Sequence, residues 1–107
     1  MSDPAQLRAE AARLRAAAQA MRAASARLDD GLVGVQQHYP AGAAGVWAGP
    51  NADTFHRRLG QARTGARELR TAVERHADEC DRKATALDAR ARDAELQQQR
   101  ERTRTGR

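Results

Sequence analysis

Large apolar side chains return every seventh residue through the first third of the chain, at Leu7, Leu14, Met21, Leu28 and Val35. Ala11, Ala18, Ser25 and Leu32 follow the first four of them by four places. That spacing lays one stripe along one helix face. A segment so patterned is helical and must set its stripe against another helix. Arg8, Arg13, Arg15, Arg22 and Arg27 fall off the stripe. Asp3 stands where an N-cap is wanted, Pro4 suits the first helical position, and Gln6 is placed as in a capping box. Gly31 and Gly34 weaken the far end and Pro40 forbids easy continuation, so the first helix is predicted over residues 4–38.

Residues 39–50 collect three of the eight glycines and two of the three prolines, the punctuation of a break between two helices. Pro50 then suits a first turn, with Gly49 as cap and Asp53 facing the positive end of the helix dipole. A second seam follows in steps of four and three: Phe55, Leu59, Ala62, Ala66, Leu69, Val73, His76, Cys80. One extra step of four leads on to Ala84, Leu87, Ala91 and Ala94, as in a coiled-coil stutter. Gly60 and Gly65 lie off this seam, and each costs about 1 kcal/mol against alanine. The second helix is predicted over residues 51–96. Residues 97–107 lack an apolar period and are expected to form a flexible, basic, solvated tail.

How such helices are stabilised depends on bulk. Alanine fills 25 of the 43 hydrophobic places, leaving eight leucines, four valines and no isoleucine. Seams this thin bury little area per turn at about 25 cal/mol per Å², and two helices alone enclose no interior. A net charge of only +5 and an abundance of good helix formers argue for helices over disorder. The expected fold is therefore all-α: an antiparallel helix-turn-helix hairpin that dimerises into a four-helix bundle. Its dimer seam would hold Leu7, Leu14, Met21, Leu28, Leu32, Val35, Leu59, Leu69, Val73 and Leu87.

Several functional classes fall away. The opening residues hold no apolar run of the signal-peptide kind, and nowhere do 18 apolar residues follow one another. Neither a cleaved leader nor a transmembrane segment is expected. The lone Cys80 allows no intrachain disulfide or cysteine-rich zinc module. His76 and Cys80 stand four apart, a spacing known from metal and nucleophile–base pairs, but no third ligand or orienting acid accompanies them, and they read as seam positions. Phosphate loops, catalytic triads and paired catalytic carboxylates are missing as patterns. The expectation is no enzyme and no cofactor. Net charge divides as +2 over residues 1–96 and +3 over 97–107, too little and too local for specific nucleic-acid binding.

Trp47 and Gly49 stand in the break, with Phe55 eight places after Trp47. A sharp bend wants a residue without a Cβ, and a large ring covers the open end of a helix pair. In length, hairpin plan and the placing of Trp47, Gly49 and Phe55 the chain resembles, to about residue 96, the small WXG proteins of the early-secreted-antigen type. These are substrates of the type VII (ESX) secretion machinery of actinobacteria and many Gram-positive bacteria. The resemblance implies a homodimer, or a heterodimer with a sister WXG protein from the same operon. It further implies recognition by the secretion ATPase, in some members accompaniment of a larger secreted effector, and no intrinsic catalysis. The protein would be cytoplasmic before export and then secreted without a cleaved signal peptide. Trp47, Gly49 and Phe55 would be the turn motif that the secretion apparatus recognises.

One feature departs from the family pattern. Many members carry a Tyr-x-x-x-Asp/Glu export signal late in or after the second helix, whereas the only tyrosine here is Tyr39. Either the chain borrows the signal of a sister protein or it is a relative not exported on its own. The rival reading is an intracellular coiled-coil adaptor or weak nucleic-acid-binding protein using its arginine-rich surface.

Overall fold

A computed structural model of the chain describes residues 3–39 and 49–106. These form two helices and, among the described residues, no strand: α1 (Pro4–His38) and α2 (Pro50–Thr105), consistent with a helical hairpin. Each start has its local cause. Asp3 caps α1, its Oδ1 accepting from the Ala5 amide at 3.3 Å and its carbonyl from the Leu7 amide at 3.0 Å. Gly49 does the equivalent for α2, its carbonyl accepting from the Asp53 amide at 3.0 Å.

The chain divides into two compact units. The first joins Met1–Ala20 to Arg75–Arg107. Its core is alanine: Ala11 and Ala18 on α1 and Ala77, Ala84 and Ala91 on α2 are all fully buried, with Leu7 beside them. Alanines at a helix contact allow axes to approach to the short end of the usual 8–10 Å. Leu14, Cys80, Leu87 and Ala94 are half-buried around this seam. Arg8 grips Glu95 with both guanidinium nitrogens, and Arg15 meets Asp88 at 2.7 Å. Residue numbers rise along α1 as they fall along α2, so the two stretches run antiparallel.

The second unit is Met21–Glu74. Here Ser25, Ala52 and Ala66 are buried, and Met21, Leu32, Leu59 and Val73 are half-buried. Arg22 meets Glu74 at 3.3 Å, Arg70 meets Asp29 at 3.9 Å, and Arg63 donates to the Gln36 amide oxygen, again antiparallel. On α1 the polar partners Arg8, Arg15, Arg22, Asp29 and Gln36 stand seven apart, one heptad row. Surface ion pairs are worth about 0–1 kcal/mol each, so this row sets register more than it adds stability.

Three expectations are corrected. The expected extra step of four on α2 is not present: Leu59, Ala66, Val73, Cys80, Leu87 and Ala94 keep an unbroken seven-residue spacing at buried or half-buried positions, and Ala62, read as a seam residue, is exposed. Ala77 is buried where His76 was expected, and His76 points outward to within 3.9 Å of Glu79. A seam closed by alanine accepts the small side chain and leaves the ionisable ring in water. The helix does not stop at Leu96: it continues to Thr105 through glutamine, arginine and glutamate, all good helix formers, until Gly106. Residues 97–105 therefore form an exposed helical extension where a flexible tail was expected. The residues expected in the dimer seam differ in their exposure within the single chain. Leu7 is buried within its own chain, and Leu14, Met21, Leu32, Leu59, Val73 and Leu87 are half-buried there. Leu28, Val35 and Leu69 remain 45%, 38% and 49% exposed.

Candidate functional site

The second unit carries two features that nothing in its own packing demands. The first is a run of rings at the end of α1. His38 meets Tyr39 edge-on at 4.8 Å, Tyr39 meets Phe55 at 5.8 Å, and Phe55 meets His56 at 5.4 Å, with planes 71–81° apart. These are favoured edge-to-face geometries. Phe55 thus ties the start of α2 to Tyr39, the residue that follows α1. Tyr39, read from sequence only as a linker residue, proves to be its aromatic partner; the pair lies sixteen positions apart across the break, where helical periodicity carries no information. Trp47, the first member of the expected turn motif, lies outside the described residues.

Gly49 has φ +108°, a conformation that L side chains rarely adopt, and a Cβ built on it would meet nothing within 4 Å. Its glycine is needed for backbone angle and not for space. Gly60 is the contrasting case: an ordinary helical backbone, with equally open surroundings. Gly49→Ala is therefore expected to cost about 1–2 kcal/mol. Gly60→Ala is expected to add about 1 kcal/mol. Thermal unfolding followed by circular dichroism should move the two midpoints in opposite directions.

The second feature is a division of faces. With 3.6 residues per turn, Asp29, Gln36, Arg63 and Arg70 lie about 40–60° to one side of the buried row formed by Ser25, Leu32, Leu59 and Ala66. Their mutual contacts place them on a common polar edge. Leu28, Gly31 and Val35 on α1, with Ala62, Gly65 and Leu69 on α2, lie about 40–100° to the other side. All six are exposed. This second face is small-and-large apolar, without a charge among those six residues.

Among the described residues no three His, Cys, Asp or Glu side chains gather as metal ligands. No helix among them is long and apolar enough to cross a membrane. Cys80 is half-buried beside the alanine row of the first unit.

Two long helices with heptad seams, and a run of edge-to-face rings between the end of α1 and the start of α2, define a class of small two-helix proteins. A family model described as "proteins of 100 residues with WXG" matches residues 6–101. The chain belongs to that WXG100 family, and so to the small type VII secretion-substrate-like proteins. Family members are secreted through type VII systems without a signal peptide and are not catalytic. No curated protein and no solved structure matches the chain.

Proposed function

We propose that the protein is a non-enzymatic substrate or export partner of a type VII (ESX) secretion system and works as a dimer, its apolar face closed against a second WXG chain in a four-helix bundle. The observation that carries this reading is the exposure of Leu28, Val35 and Leu69, heptad residues that their own chain covers only in part. Contiguous exposed apolar surface on a small helical protein marks an interaction site. Gly31 and Gly65 on the same face let a partner helix approach closely. The partner is a second copy or a sister protein from the same operon, and the turn motif of Trp47, Gly49 and Phe55 is what the secretion ATPase recognises. A larger secreted effector is a further partner of the assembled pair. Tyr39 is the only tyrosine and follows α1, away from the place of a Tyr-x-x-x-Asp/Glu export signal, which a sister chain would supply where it is the partner.

Two measurements test this. Light scattering of the purified chain, alone and co-expressed with its operon neighbour, should give twice the mass of one chain in at least one case. The protein should reach the culture supernatant, and deletion of the secretion ATPase or of the sister chain should stop it. A monomer in both preparations, or a protein retained in cells that export their other substrates, would refute the proposal.

A further inference from the structure

We infer that the polar edge of the second unit carries a separate docking cleft for the carboxylate side chains of an acidic protein segment. The cleft measures about 240 Å³ and is lined by Gln36, His56, Leu59, Gly60, Arg63 and Arg67. Three observations converge on it. Along the heptad row of α1, four successive steps pair an arginine with a carboxylate: Arg8 with Glu95, Arg15 with Asp88, Arg22 with Glu74, and Asp29 with Arg70. At the fifth step Arg63 meets the neutral amide of Gln36 instead. That contact positions the guanidinium without neutralising it, and the buried Arg63 Nε–H is left with no acceptor.

Arg67 stands one turn further along the same helix, and no carboxylate pairs with it among the described residues. Like charges four apart on a helix repel each other. An anion between them removes that repulsion and satisfies the stranded donor, and planar guanidinium groups match carboxylates in charge and shape. Gly60, the third observation, lies in the cleft with open space where its Cβ would be. A glycine inside a helix weakens it, and nothing in the chain's own packing calls for one here. Its place is explained if another backbone comes close. Leu59 beside it offers an apolar wall, so the fitting occupant alternates an apolar side chain with an acidic one. This edge lies opposite the apolar face, and the inference does not rest on dimerisation.

The test uses the full chain, labelled with ¹⁵N, and the peptide acetyl-Leu-Glu-Leu-Glu-amide at low salt. Saturable shifts are expected at the amides of Leu59, Gly60, Arg63 and Arg67. Arg67→Gln should weaken binding at least fivefold. Gly60→Leu should fill the cleft and abolish binding without lowering the thermal midpoint, since leucine is the better helix former. Four outcomes would overturn the inference: a linear, unsaturated drift; an equal response to the peptide with Gln in place of Glu; inorganic phosphate saturating the same amides at lower concentration; or unimpaired binding by Gly60→Leu.

Discussion

Replacing Ala84 by leucine is expected to destabilise the fold by about 2–3 kcal/mol, lowering the thermal midpoint by roughly 10–20 °C. Ala84 is fully buried, one heptad from Ala77 and one from Ala91, and Ala11 and Ala18 close the same unit from α1. A seam made of methyl groups has no space for an isobutyl group, so the helices must part or the rotamer must strain. Ala89→Leu supplies the control. It makes the same chemical change five residues later on the same helix, but at an exposed position. Leucine and alanine differ little in helix propensity, so its effect should stay within about 0.5 kcal/mol. Thermal unfolding of both variants by circular dichroism decides the point: equal shifts would mean that the alanine row is not the contact.

That alanines form the innermost row was only partly legible in the sequence. The heptad repeat of α1 could be read directly, and so could both helix starts and the end at His38, because Asp3, Pro4, Pro40, Gly49 and Pro50 act through local backbone geometry. On α2 the local rules run out from residue 62 onward, where the spacing reads Ala62, Leu69 and His76 into the seam and all three are exposed. A step of three to His76 and a step of four to Ala77 both continue a helical stripe, and only the packing partner decides between them. The extension over 97–105 was missed for a related reason. Lack of an apolar period shows that nothing is buried there, which is a different matter from whether the backbone is helical. The row Arg8, Arg15, Arg22, Asp29 and Gln36 was visible as spacing, but its meaning required the register against α2. The same register separates Leu7, buried within its own chain, from Leu28, Val35 and Leu69, which the seam as read from sequence had grouped with it.

The exposed group supports the other large expected effect. Leu28→Arg combined with Leu69→Arg should leave the single chain as helical as before, since both positions face solvent and surface substitutions usually fall within about 0.5 kcal/mol. Association should suffer far more. Each arginine removes apolar contact and brings a charge to a surface that a partner chain would desolvate; a penalty of about 3 kcal/mol or more corresponds to at least a hundredfold weaker dimer. Folding and association are linked through concentration, which provides a second readout. The unmodified protein should unfold at higher temperature as it is concentrated, while the double variant's midpoint should stay constant. Gln37→Arg, an exposed α1 substitution off the apolar face, should keep the concentration dependence. If the double variant still sediments as a dimer at micromolar dilution, the partner chain must close on some other face, and the exposure of Leu28, Val35 and Leu69 would need a different explanation.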